Sequence, residues 1–162
     1  MIRALALAAS LLAVAAPQGL AAAEPDWPAD WTVIETGMAY EDLVASLDQA
    51  VKDNKMGLVT RASATAGVKK MLEEDIPGNM VVGVYRPDFA KRMLAASVPA
   101  GMEAPVRFYI TEDQDADGGS TLAYKAPSLV FAPYDDGGAA LDEMAAELDA
   151  IFEAIAKQAT GM

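Results

Sequence analysis

The sequence predicts an α+β fold in which a largely antiparallel sheet is backed by helices and followed by a long C-terminal amphipathic helix. Two observations support this fold class. Strand-like and helix-like segments alternate three times along the chain, and a hairpin and a long helical segment then close it. Because regular parallel α/β winding does not end in a hairpin, we expect the strands to pair mainly antiparallel.

Each element follows from apolar spacing and from turn residues. A period near 3.6 predicts a helix, a β-favouring or alternating run predicts a strand, and proline and glycine mark the turns. The predicted strands are Trp31–Thr36, Met56–Arg61, Met80–Tyr85, Val106–Thr111 and Ser120–Lys125. The predicted helices are Tyr40–Asn54, Ala64–Asp75 with Thr65 as its cap, one that begins at Pro87, and about Ala139–Gln158; Ser97–Pro105 and Ala126–Gly138 are predicted loops.

The first 23 residues have the pattern of a cleaved export signal. Arg3 gives a positive start, Ala4 to Ala16 form a short apolar run, and Ala21–Ala23 suit a signal peptidase. The apolar run is shorter than the ~20 residues that a membrane span needs. We therefore expect cleavage between Ala23 and Glu24, a periplasmic or secreted protein, and no membrane span afterwards.

The remaining chain has the length of one domain. We divide it into an irregular leader (24–31) held by Trp27 and Trp31, a single α+β domain (32–158), and a short tail (159–162). A net charge of −12 makes nucleic acid and anionic membranes poor partners. Residues 52–107 are nevertheless net basic. Either the acidic segments are simply solvated, or the basic middle faces an acidic flank or an anionic ligand.

The missing residue types exclude several kinds of chemistry. The chain has no histidine and no cysteine, which removes thiol catalysis, Ser-His-Asp triads, haem ligation and ordinary zinc or copper sites. No glycine-rich phosphate loop follows a predicted strand. We therefore expect no metal and no cofactor, and a nucleophilic enzyme would have to use Ser, Thr, Lys or a carboxylate without a recognisable spacing.

One short run resembles half of a calcium loop. Residues 113–118 read D-Q-D-A-D-G, which matches the first half of the EF-hand pattern. The second half fails, because Tyr124 stands where a bidentate glutamate is required and Ser120 replaces an apolar residue. We interpret the run as an acidic hairpin turn, with a weak calcium site as the alternative.

Arginine and tyrosine residues give the best candidate ligand site. Arg107 and Tyr109 share one face of their strand, and we expect Tyr124 to face the same surface from the partner strand. Arg61 and the pair Tyr85–Arg86 end two neighbouring strands. The planar guanidinium and the tyrosine hydroxyls suit a carboxylate, sulfate or phosphate. The alternative is that these arginines pair with the many carboxylates of the chain or line a dimer contact.

Residues 32–158 resemble the domain of unknown function 302 family of small bacterial and archaeal domains. The matching features include M-G-L-V-T-R (56–61), D-I-P-G-N-M-V-V-G-V-Y-R-P (75–87), D-F-A-K-R-M-L (88–94), P-A-G-M-E-A-P (99–105), R-F-Y-I (107–110) and the closing helix. The resemblance implies a curved antiparallel sheet, a long C-terminal helix and a tendency to form homodimers. It implies no activity, cofactor or catalytic residue.

Three functions follow from these observations. The first is a non-enzymatic, exported and dimeric module that binds a small anion or another envelope protein, with Arg61, Tyr85, Arg86, Arg107, Tyr109 and Tyr124 as candidate ligand-binding residues. The second is an enzyme that uses arginine, tyrosine and carboxylates in acid–base chemistry. The third is a purely structural homodimer.

Overall fold

The structure is a computed structural model that describes residues 25–114 and 118–162. The predicted export signal and residues 115–117 of the acidic run lie outside the described residues. The strands are β1 Trp31–Thr36, β2 Gly57–Ala62, β3 Asn79–Tyr85, β4 Val106–Glu112 and β5 Ser120–Lys125. The helices are α1 Tyr40–Asp53, α2 Ala64–Leu72, α3 Pro87–Ala96, α4 Pro127–Phe131 and α5 Gly138–Thr160, with 3-10 turns at Pro99–Glu103 and Asp135–Gly137.

The five strands form one sheet in the order β1-β5-β4-β3-β2, and every neighbouring pair is antiparallel. The first strand therefore pairs with the last one, so that Trp31 lies opposite Lys125. The predicted α+β class, with its antiparallel sheet and long C-terminal helix, is confirmed. In the part of the chain that the structure describes, no helix is long and apolar enough to cross a membrane.

One face of the sheet is covered by α1, α3 and α5. Alternate side chains of β4, including Phe108 and Ile110, are fully buried against this layer. The ring of Phe108 stacks on the ring of Phe152 with centroids 4.5 Å apart, and Tyr124 contacts both rings. The core thus lies between the sheet and α5. The opposite face of the sheet, which we call the second face, carries the remaining, alternate side chains of each strand.

The long helix α5 supplies much of this core. Its apolar stripe is buried at every position except Ile151, which is half-buried; the stripe consists of Leu141, Met144, Leu148, Ile151, Phe152 and Ile155. The helix ends at Gly161, whose φ of 74° is left-handed and favours glycine. The burial explains why the last helix is so apolar on one side in a chain that is otherwise acidic.

Several details differ from the predicted elements, and one of them is that α2 ends at Leu72 instead of Asp75. Ser63, not Thr65, caps α2, since its hydroxyl accepts from the Ala66 amide at 3.1 Å, while Thr65 donates to the Pro77 carbonyl. The two predicted loops contain short helical turns, because proline at the first position of each turn fits a helix start. The apolar residues of α2 do not reach the core: this helix buries none of its side chains.

An ion pair joins α3 to α5. The Arg92 guanidinium donates from two nitrogens to the Glu147 carboxylate, both at 2.7 Å. These hydrogen bonds lower the pKa of Glu147 below its ordinary value. A depressed pKa means that the pair stabilises the fold above the unfolded value of about 4.3, and that this stabilisation is lost as the pH falls through the lower folded value.

We therefore expect the melting temperature of Glu147→Gln to lie below that of the wild type near neutral pH, and the gap to close as the pH falls from the unfolded pKa of about 4.3 through the lower folded pKa. Thermal melts monitored by circular dichroism across this range measure the gap. Asp142→Asn, on the same helix, serves as the control, since Asp142 is in no ion pair within the described ranges. A gap that stays constant with pH would contradict the assignment.

Candidate functional site

A groove opens where β5 leaves the sheet. The pairing of β4 with β5 ends at Phe108 and Tyr124, although β4 begins two residues earlier at Val106. After Lys125 the chain turns away into α4, so the start of β4 has no β5 neighbour beside it. The groove has a volume of about 490 Å³. This is within the range of small-molecule sites.

The basic and aromatic side chains of the groove come from three neighbouring strands, and the carboxylates of Asp30 and Glu103 also line it. Trp31 lies opposite Lys125, and Arg107 adjoins the last residue pair between β4 and β5. These three side chains therefore lie in a row across the second face. Leu129 and Val130 of α4 add apolar surface to the same groove. A basic and aromatic floor with an apolar wall suits an anionic ligand that has an apolar part.

The Arg107 side chain is exposed and weakly engaged. It is 59% exposed, and its Nη2 lies 3.8 Å from Oε2 of Glu103, which is beyond hydrogen-bond distance. Glu103 instead accepts a hydrogen bond from the Tyr134 hydroxyl at 2.7 Å. The guanidinium donors of Arg107 are therefore available to a bound ligand.

Lys125 is the second cation of the groove. Its ammonium lies 5.4 Å from the centroid of the Trp31 ring, which is a cation–π distance. Within residues 25–114 and 118–162 no carboxylate lies within salt-bridge distance of it. The lysine is thus held beside the tryptophan without being neutralised.

Arg61 and Arg86, which the sequence also suggested, are committed to partners within the chain. Arg61 forms an ion pair with Asp48 of α1. Arg86 donates two hydrogen bonds to Asp88, at 2.7 and 3.0 Å, and lies over the Phe89 ring at 4.2 Å. Arg92 is paired with Glu147 of α5. Among the arginines of the described ranges, Arg107 is therefore the one that has no carboxylate at hydrogen-bond distance.

The strand register separates the predicted site residues. Tyr85 pairs with Gly57 at the start of β2, whereas Arg61 pairs with Val82 near its end. Arg61 shares the helix-covered face with Val82, while Tyr85 lies on the second face. The sequence predicts that these residues are close because each lies at the end of a strand. Since β2 and β3 are antiparallel, the ends of the two strands lie at opposite ends of the pair.

The expected common face of Arg107 and Tyr109 is confirmed, but the expectation for Tyr124 is wrong. Tyr124 pairs with Phe108 and is 7% exposed, so it points into the core on the helix-covered face. The prediction failed because the register of the hairpin was not fixed by its sequence. Tyr124 still borders the inner end of the groove.

Tyr109 lies farther along the second face, under the leader. The Trp27 ring packs edge-on against the Tyr109 ring, with centroids 6.1 Å apart, and lies tilted against the Trp31 ring, with centroids 6.0 Å apart. The Tyr109 hydroxyl also accepts a hydrogen bond from the Asn79 side chain. The leader therefore covers the middle of the second face and ends at the groove.

Three tyrosines have a raised pKa and are protonated at neutral pH. Burial raises the pKa of Tyr40 and of Tyr124, and the hydrogen bond to Glu103 raises the pKa of Tyr134. A tyrosine whose pKa lies above its ordinary value holds its proton more firmly. At neutral pH a smaller fraction of these side chains is therefore ionised than of free tyrosine, so less of the basic form is available.

Sequence reasoning missed Trp31 and Lys125 as site residues. Trp31 was treated as an anchor of the leader, and Lys125 as the end of a hairpin strand. Both enter the site through the pairing of β1 with β5, which joins segments far apart in the chain. A basic residue at the end of one strand and a tryptophan at the start of another were the available signals.

Comparisons with known protein families and with solved structures found similar proteins. A family described as "Domain of unknown function DUF302" matches residues 32–155. The chain is also similar to a crystal structure of an uncharacterized conserved protein DUF302 from Bacillus stearothermophilus, with a TM-score of 0.70 and 15% sequence identity, over 82% of this chain and 99% of that chain. At this identity the likeness shows the fold alone. No curated protein matches the chain.

Proposed function

The chain belongs to the family described as domain of unknown function DUF302, and from this premise we propose that it is a non-enzymatic module that binds a small anionic ligand in the groove. The observation that carries the proposal is the state of Arg107. The other arginines of the described ranges are paired with carboxylates, whereas its own guanidinium is exposed beside Lys125. The groove places two cations, Arg107 and Lys125, close together in a protein whose net charge is −12.

The chemistry of the groove supports recognition of a carboxylate or phosphate group. A guanidinium offers a planar pair of donors that matches two oxygens of such a group, and charge-assisted hydrogen bonds are stronger than neutral ones. Lys125 supplies a second positive charge at the same level of the sheet. Trp31 and Leu129 give an apolar part of the ligand a surface to pack on.

The alternative of an acid–base enzyme has less support. A general base works best when its pKa is near the working pH. Tyr124, which borders the groove, has a pKa raised by burial, and Tyr134 also has a raised pKa. The proposed roles of the groove side chains are therefore to donate hydrogen bonds and to supply charge, not to transfer protons.

A thermal-shift screen tests the binding proposal. We expect at least one carboxylate or phosphate metabolite at millimolar concentration to raise the melting temperature of the wild type. The double variant Arg107→Ala/Lys125→Ala should lose this shift, and Arg86→Ala/Lys91→Ala, with the same change in charge on α3 and its start, should keep it. A screen without any stabilising anion would refute the proposal, as would equal shifts in both double variants.

Export to the periplasm or the outside of the cell is part of the proposed function. It rests on the N-terminal sequence, in which a basic start and an apolar run precede Ala21–Ala23. Expression of the full chain followed by cell fractionation and N-terminal sequencing measures the outcome. Mature protein that begins at Glu24 in the exported fraction supports export, and a full-length cytoplasmic product opposes it.

Self-association is a second proposed property, supported by an apolar patch on α2, the helix that follows the edge strand β2. Val59 of the edge strand β2 is 51% exposed, and Met71 and Leu72 of α2 are 81% and 62% exposed. Lys70 and Glu74 lie next to this patch, so the surface carries both signs of charge. Two copies related by a twofold axis can bury the apolar side chains and pair these charges.

We expect sedimentation to detect a dimer at micromolar concentration, and Met71→Glu/Leu72→Glu to shift it to the monomer. The physical reason is that a carboxylate in an apolar contact costs desolvation. Met102→Glu is the matched control, since Met102 is 84% exposed at a different edge of the fold. A wild type that sediments as a monomer contradicts this property and leaves the groove proposal untouched.

A further inference from the structure

We propose that the ligand of the groove is a short peptide with a free ammonium group and a free carboxylate. This inference rests on the binding function proposed above and names its ligand class. It follows from the arrangement of four charged side chains, Asp30, Glu103, Arg107 and Lys125, that line the same groove. Two positive and two negative charges favour a zwitterion over a simple anion.

The four charges are not equivalent. Glu103 already accepts the Tyr134 hydroxyl and faces Arg107, and Lys125 lies against the Trp31 ring. Asp30, by contrast, has no side-chain hydrogen bond and no ion pair within the described ranges, and it is exposed at the opposite wall. Arg107 therefore takes the carboxylate of the ligand, and Asp30 takes its ammonium.

The spacing of the strands beside these two residues favours a peptide over a single amino acid. Asp30 adjoins Trp31 of β1 and Arg107 belongs to β4, with β5 between these strands. Two strand spacings separate their backbones by roughly 10 Å. An extended dipeptide or tripeptide spans roughly 7 to 10 Å, whereas the charges of one amino acid are a single residue apart.

The surface between the charges suits a peptide as well. The start of β4 has no β5 neighbour beside Val106, so the groove is open there for the end of the peptide that Arg107 holds. Leu129 and Val130 supply an apolar wall for small side chains, and Trp31 supplies an aromatic one. Each part of the ligand thus has a counterpart in the groove.

Tryptophan fluorescence provides the test. The chain has two tryptophans, so Trp27→Phe leaves Trp31, a groove residue, as the reporter. The probes are unmodified dialanine, trialanine and dileucine, each with its N-acetyl and its C-terminal amide form. We expect the unmodified peptides to bind, and either modification to weaken binding at least tenfold. Calorimetry on the wild type repeats the titration without the Trp27 change.

A charge variant separates the ammonium contact from general affinity. Asp30→Asn should lower the affinity for the unmodified peptides to that of the N-acetyl forms and leave the N-acetyl forms unchanged. Glu35→Gln, an exposed carboxylate elsewhere on β1, is the control and should change neither.

The outcomes distinguish this inference from the function on which it rests. Equal binding of acetylated and free peptides, lost in Arg107→Gln, overturns the ammonium contact and keeps anion binding. No peptide binding, with another anion active in the thermal-shift screen, overturns the peptide class alone. No binding in either experiment overturns both.

Discussion

Replacement of Arg107 by glutamine is expected to weaken ligand binding by roughly ten- to a hundredfold. The side chain keeps most of its length but loses the charge and the forked donors that recognise a carboxylate. Hydrogen bonds to charged groups contribute about 1.5–3 kcal/mol, and about 1.4 kcal/mol corresponds to tenfold in affinity. Isothermal titration of the best ligand from the thermal-shift screen measures this change.

Arg86→Gln is the matched comparison for this experiment. Arg86 is also an arginine next to a sheet strand, but its donors are taken by Asp88 and its face by Phe89. Its replacement should leave the affinity within about twofold of the wild type, because it lies outside the groove. Equal losses in the two variants would show that overall charge, and not the groove, governs binding.

Truncation of Phe152 to alanine should lower the free energy of unfolding by about 3–5 kcal/mol, a large part of the stability of a domain of this size. The ring is fully buried, stacks on Phe108 at 4.5 Å and contacts Tyr124 at 5.7 Å. Its removal leaves a cavity between α5 and the centre of the sheet that the neighbouring strands cannot fill without moving. Urea unfolding gives the change directly.

A surface truncation shows whether the effect comes from the core. Met102→Ala removes a side chain that is 84% exposed, so we expect a change within about 0.5 kcal/mol. A loss below about 1 kcal/mol for Phe152→Ala would mean that α5 does not pack on the sheet as described.

The elements of this fold were predictable because local physical rules act on short stretches. The alternation in β4 placed Phe108 and Ile110 on the buried face and Arg107 and Tyr109 on the other, as the structure has them. The apolar stripe of α5 likewise identified the helix that packs on the sheet. These patterns need no knowledge of which strands are neighbours.

The site was only half predictable because it depends on pairings between distant strands. Arg107 was identified as a ligand-binding candidate, but its groove partners Trp31 and Lys125 meet through the β1–β5 pair. A shift of one residue in the strand register moves every side chain of that strand to the other face of the sheet. The face on which Tyr124 lies therefore depends on a register that the sequence does not determine. The sequence predicts a common site for Arg61 and Tyr85, although the relative direction and register of two strands cannot be read from either strand alone.

Lysine footprinting with a bound ligand tests the central claim most directly, because it locates the ligand without changing the protein. An acylating reagent modifies exposed lysines, and mass spectrometry gives the rate at each one. A ligand in the groove should slow modification of Lys125 severalfold and leave Lys91, which is exposed on α3, unchanged. An unchanged rate at Lys125 with saturating ligand would contradict the account.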